Sequence, residues 1–213
     1  NHLCVSAAAK VQVAPLAGSY ERDVIRPHVL GRFEDMVLAS ARHPAMLIYL
    51  DNVQSIGPDS PGATRARGNR AQRGLNENYA RELLELHTLG VDGGYAQQDV
   101  QELARALTGW SVGGVGEPGA GGAAPAMGRP RRGAPSRTTS GEDEAMTFAY
   151  RAQLHQPGAR TILGKRYGED GLAQGERAIR DLCRHASTAR FIATKLVTHF
   201  VSDTPPASAV DRI

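Results

Sequence analysis

Between Leu75 and Leu107 the apolar residues recur at helical spacing on both sides of one glycine-rich break, the "GVDGGY" of residues 90–95. That double pattern predicts two helices joined by a tight turn, and it constrains the fold more than any other stretch. On a wheel of about 100° per residue, Leu75, Tyr79, Leu83 and Leu86 share one face of a helix over 75–89, with Glu77, Arg81 and Glu85 opposite. Gly90 supplies the C-terminal stop. A second helix over 97–107 buries Val100, Leu103, Ala104 and Leu107 in the same way.

The flanking segments extend the helical reading. From Ser19 to about Asn52, Phe33, Met36, Val37 and Ala41 keep helical spacing; Pro44 then suits a new first turn, with Met46, Leu47 and Leu50 continuing the apolar face. Residues 54–74 read as a Gly/Pro/Arg loop. Residues 111–144 are dominated by Gly, Ala, Pro, Ser and Arg and read as a flexible insertion. After them Met146, Phe148 and Tyr150 alternate, followed by a "QPG" turn and a short apolar run, which predicts a β-hairpin. Helical spacing returns over 175–202, and no internal repeat is visible. The expected fold is therefore mainly α: a multi-helix, orthogonal or bundle-like single domain over 1–213, with one small β-hairpin and a long Gly/Ala/Pro/Arg loop.

At 213 residues and 41% hydrophobic content the chain can bury a sizeable core. The net charge of +3 is partly local, since Arg65, Arg67, Arg70 and Arg73 fall in one loop and Arg129, Arg131, Arg132 and Arg137 in another. No aromatic residues are interleaved with them, so solvated loops are favoured over nucleic-acid binding. Lys10, Lys165 and Lys195 stand against 22 arginines, a skew that suggests a GC-rich bacterial coding sequence. Cys4 and Cys183 are too few for a cysteine-only zinc site, and Cys183 fits a buried apolar position. No apolar run approaches the ~18 residues of a membrane-spanning helix.

Several residues carry candidate chemistry. Glu77, Arg81 and Glu85 have the spacing of an ion-pair ladder worth ~0.3–0.5 kcal/mol per pair on an exposed face. Glu82 and Glu85 are close enough on the wheel to share a cation or to raise one another's pKa. His87 lies at the border of the apolar face, where a hydrogen-bonded core histidine is the plainer reading. His2, His43, His155 and His199 are further candidates, and three histidines meeting in space would hold zinc or iron. The candidate catalytic set is Glu82, Glu85 and His87; the candidate ligand set for a divalent metal is His2, His87 and His155. The Glu-x-x-His spacing of di-metal helices is absent. HExxH, GxSxG and P-loop patterns are absent too. Asp92 and Asp99 flank glycines but lack the acidic alternation of an EF-hand. Trp110, at the end of the second helix, reads as core packing.

The run "RGLNENYARELLELHTLGVDGGYAQQDVQELARALTGW" resembles the central signature of a large bacterial family catalogued as domain of unknown function 1800. "NHL" at the start, "RHPAMLIYLDN" and "HASTARFIATKLVTHFVSDTPP" resemble its flanking elements. The resemblance implies a longer, exported protein, extracytoplasmic in the periplasm or cell envelope, of which this chain is an internal fragment. It also implies a partner among exported proteins encoded nearby, and it brings no established activity. Two departures matter physically. Ala96 stands where the family has a threonine that would cap the second helix in a box with Asp99, a loss of about 1 kcal/mol. Gln156 stands where the family has an aspartate after the histidine. The expected function is a helical binding or assembly module of an envelope-associated protein. The alternatives are a hydrolase or metal-dependent enzyme using Glu82, Glu85, His87 and His2, and a polyanion binder using the arginine loops.

Overall fold

The computed structural model describes residues 2–65, 74–113 and 146–213. Its element order begins with a 3-10 turn, Val11–Leu16, and a helix whose ends, α1 (Ala17–Tyr20) and α2 (Arg26–His28), are joined by a π turn at Glu21–Ile25. Helices α3 (Phe33–Arg42) and α4 (Pro44–Tyr49) follow, broken at His43. The break is built locally: Pro44 occupies the first position of α4, and His43 Nδ1 accepts from the Ala45 N–H at 3.1 Å. A ring nitrogen here replaces the usual Ser or Asp cap.

The segment expected as a loop over 54–74 contains structure, a 3-10 turn at Asn52–Gln54 and the short helix α5 (Pro61–Arg65). Next come α6 (Asn78–Glu82), which runs into a second π turn at Leu83–His87, and α7 (Gln97–Ala106). The predicted helical hairpin is thus present, and it begins three residues later than expected because Asn76 Oδ1 accepts from the Asn78 N–H at 2.9 Å and caps it there. Val100, Leu103, Ala104 and Leu107 are buried as predicted.

The β structure differs in its pairing. Trp110 does not end the helix but opens β1 (Trp110–Gly113), which pairs antiparallel with β2 (Thr147–Tyr150), Trp110 opposite Tyr150. The tight hairpin is instead β3 (Arg160–Ile162) with β4 (Lys165–Tyr167). Alternation at 146–150 was a sound strand signal; its partner lies before the insertion, which sequence proximity does not reveal. The remainder of the expected insertion lies outside the described residues.

The helical spacing over 175–202 is carried by two helices, α8 (Leu172–Cys183) and α9 (Ala186–Phe200), followed by α10 (Ala207–Val210). His185 makes the break, its Nδ1 accepting from the Ser187 N–H at 3.1 Å. His43 caps α4 in the same way. The spacing Glu-x7-Arg-His occurs at Glu34–Arg42–His43 and again at Glu176–Arg184–His185. In space α3 and α8 pack antiparallel, Arg184 on Glu34 at one end and Arg42 on Glu176 at the other.

One main core gathers Tyr79, Leu83, Leu84, Leu103, Leu107 and Trp110 with Val37, Met46, Leu47 and Ile179. Ala193 and Val197 of α9 form a separate cluster with Val210 of α10. Polar groups tie the core's edges. Asn52, almost wholly buried, donates through Nδ2 to the carbonyls of Leu107 and Trp110 at 3.1 and 3.0 Å. Among the described residues no helix is long and apolar enough to cross a membrane.

Candidate functional site

The π turn at Leu83–His87 decides what the end of the hairpin presents. Its wider hydrogen bonding inserts one residue, which displaces everything after it by about 100°. Leu86, expected on the buried seam, is therefore 46% exposed, and His87 takes its place at 6% exposure. The turn is closed by Thr88, whose hydroxyl donates to the Leu83 carbonyl at 2.7 Å, and by the Gly90 N–H on the Leu84 carbonyl at 3.1 Å.

His2 docks onto this end. Its Nε2 lies 2.9 Å from the His87 carbonyl, and its Nδ1 lies 3.3 Å from Lys195 Nζ on α9. A carbonyl only accepts and an ammonium only donates, so both contacts are made when Nε2 carries the proton and Nδ1 keeps its lone pair. His2 is held as that neutral tautomer. The ring sits among Phe33 and Phe191, with centroids at 5.7 and 5.9 Å, and His87 at 6.5 Å. Lys195 lies over the Phe191 face, 4.6 Å from its centroid. Burial lowers the pKa of both imidazoles, and for His87 burial, with His2 and Lys195 beside it, pushes the value down to about 4.

The carboxylates of the first helix divide. Arg81 sits between Glu77 and Glu85 at 3.5 and 3.3 Å, the ladder that the spacing predicts. Gln97 of α7 closes it, donating to Glu77 at 2.6 Å and accepting from Arg81 at 2.7 Å. Glu82 stands apart from that ladder. Burial, and the neighbouring Glu85, raise its carboxyl above the ordinary glutamate range. The charges that bear on His87 come from His2 and Lys195, on other segments, rather than from Glu82.

His155 lies in a different environment. Its Nδ1 donates to the Thr108 carbonyl at 2.9 Å, which leaves Nε2 as a buried lone pair with no hydrogen-bond partner among the described residues. Gln156, in the position after it, makes a reciprocal pair with Asp59: Nε2 donates to Oδ2 at 2.8 Å and Oε1 accepts the Asp59 N–H at 2.9 Å. The structure therefore brings His2 and His87 together and seats His155 on Thr108. Among the described residues no group of three His, Cys, Asp or Glu side chains converges to hold a metal ion.

The remaining candidates have structural roles. Asp99 accepts from the Ala96 N–H through Oδ2 at 2.8 Å and from the Leu163 N–H through Oδ1 at 2.7 Å, so one carboxylate ties the start of α7 to the β3–β4 hairpin. Half of the expected box survives the loss of threonine. Trp110 is fully buried, and burial pushes the Cys183 thiol up to about 12, which suits a packed residue and not a nucleophile. His43 caps α4 and His199 is exposed on α9. Arg67, Arg70, Arg73, Arg129, Arg131, Arg132 and Arg137 lie outside the described residues, as does the Arg65 side chain. Sequence reasoning missed Lys195 and the two aromatics around His2. No local motif marks them; only the fold brings α9 to residue 2.

A family model described as "Protein of unknown function (DUF1800)" matches residues 1–213, the whole chain. The chain belongs to the DUF1800 family. No curated protein and no solved structure matches it significantly.

Proposed function

We propose that the chain is a helical binding or assembly module of an exported, envelope-associated bacterial protein, with an exported protein encoded nearby as its partner. The observation that supports this reading is the outer face of α9. Its inner face is covered by α10, yet Leu196, Phe200 and the adjoining Val201 are 39%, 76% and 66% exposed at the end of a well-formed helix. Apolar side chains in such a row are more costly to leave in water than scattered ones, and they mark interaction surfaces. The structural commitments of Asp99, Glu77 and Glu85 agree with a role other than catalysis.

The test uses the full-length protein and its paired exported protein. Leu196→Ser with Phe200→Ser is expected to weaken their association by at least about tenfold, the equivalent of two partly buried side chains, with thermal stability unchanged. Unaltered association would count against the reading.

A second reading is an enzyme using Glu82, Glu85, His87 and His2. It is favoured by the raised Glu82 carboxyl and the neutral, buried His87. A hydrolytic or metal-dependent turnover lost in Glu82→Gln and in His87→Ala would establish it in place of the first.

A further inference from the structure

The α9–α10 pair is a semi-independent arm. Ala193, Val197 and Val210 form a cluster separate from the main core, and beyond Lys195 the helix carries the exposed Leu196, Phe200 and Val201. What fixes the arm to the body is concentrated in its first turns. Thr188 Oγ1 donates to the Leu182 carbonyl at 2.6 Å, Phe191 packs on Gly90, and Lys195 reaches His2. His2 is the middle link of a chain that starts at the carbonyl of His87, the last residue of the π turn, and ends on α9.

We propose that His2 is a proton-sensitive tie, holding the α9–α10 arm against the π turn at Leu83–His87 in neutral solution and releasing it in mildly acidic solution. The chemistry follows from the tautomer. A proton taken from solvent can enter only at Nδ1, because Nε2 already carries one. Nδ1 then ceases to accept, and an imidazolium faces the Lys195 ammonium across 3.3 Å. One hydrogen bond is lost and a repulsion between like charges replaces it.

Among the described residues, the groups that bear on His2 from each packed element are His87 from the π turn and Lys195 from α9. The ring neighbours Phe33 of α3 and Phe191 of α9 are uncharged. No acid is among them to stabilise the imidazolium. Burial already disfavours its charged form, in agreement with the geometry. Release uncovers the faces of Phe33 and Phe191 that pack on the His2 ring. The inference stands without the binding role proposed above, since it concerns how the arm is held.

Hydrogen exchange on the full chain, corrected for intrinsic rates, tests it. Amides of residues 193–200 are expected to lose protection below about pH 6.5, by up to about tenfold per pH unit, the slope for one proton. Amides of α7 keep theirs. His2→Gln can donate to the His87 carbonyl and accept from Lys195 without titrating, so its arm stays protected across the same range. This comparison also separates His2 from His185 and His199, which lie on the arm's own helix. Lys195→Met, a change at a solvent-facing position, is expected to unprotect the arm already at neutral pH. Arm protection that is independent of pH in the wild type, or an equal loss in His2→Gln, or full protection in Lys195→Met, would each overturn the proposal.

Discussion

Arg184 grips Glu34 with both arms of its guanidinium, Nε to Oε2 at 2.7 Å and Nη2 to Oε1 at 3.2 Å, across the end of the antiparallel α3–α8 pair. Arg42 reaches Glu176 at the other end through Nη2 alone, so the same pair of helices is tied at both ends. The bond from Arg184 holds the Glu34 carboxyl below its ordinary range. A carboxylate with a depressed pKa contributes stability that is present at neutral pH and is lost as pH falls through the carboxylate range. Glu34→Gln is therefore expected to lower the Tm at pH 7 more than Asp35→Asn, on the exposed side of the same turn, and the gap is expected to narrow toward pH 3. Arg184→Lys keeps the charge but not the fork, and its Tm should fall between wild type and Glu34→Gln. Paired thermal melts check all three.

His87 gives a second pH window. Its pKa is pushed from 6.5 to about 4 by burial, so the unfolded chain binds a proton that the folded chain refuses. The sign follows: this contribution is full above about pH 6.5 and is lost as the pH falls toward 4, a change of about 3 kcal/mol over the window. His87→Leu fills the buried position without titrating. Denaturant unfolding at pH 7, 6 and 5 should show the wild type losing stability faster than this variant. Parallel curves would mean that His87 is not refusing the proton.

The two findings show what the sequence made legible. Helix periodicity located the 75–107 hairpin and its buried residues, because each apolar face is written in consecutive turns. The π turn was not legible: Leu83–His87 has ordinary helix formers, and the inserted residue is recognised only when His87 rather than Leu86 is buried. The β2 strand was legible as a strand but not its pairing with β1, which closes across the long insertion. No local pattern marks Glu34 or Glu176; the antiparallel packing sets each against an arginine 150 and 134 residues away. For the site, His87 was legible from its place on the wheel and His2 only as one of several scattered histidines. Lys195 and Phe191 were not, since they reach His2 only through the fold.

Ala96 offers a gain-of-stability test. The Asp99 carboxylate already accepts from the Ala96 N–H, while α7 has no side-chain acceptor at its cap position. Ala96→Thr restores the missing half of the box and is expected to raise stability by about 1 kcal/mol. Asp99→Ala removes two charge-assisted bonds, to Ala96 and to Leu163, and is expected to cost about 2–3 kcal/mol. The asymmetry between the two variants, measured by denaturant unfolding, distinguishes a helix cap from a bracket that also holds the β3–β4 hairpin.

Gly90 carries the last prediction, because two independent constraints meet there. Its φ of +86° lies in the left-handed region, and a Cβ placed on it would stand 2.9 Å from Cδ2 of Phe191. Backbone strain alone predicts a loss of about 1 kcal/mol or more for Gly90→Ala. The contact adds a directed effect, since the methyl group must push Phe191 outward and with it the first turns of α9. Exchange protection in α9 should therefore fall more than in α7, and the His2 ring, whose centroid is 5.9 Å from that of Phe191, should gain solvent and titrate closer to its ordinary value. An NMR titration of His2 in Gly90→Ala reads this directly. A His2 titration identical to that of the wild type would show that Gly90 serves the turn alone and does not seat α9.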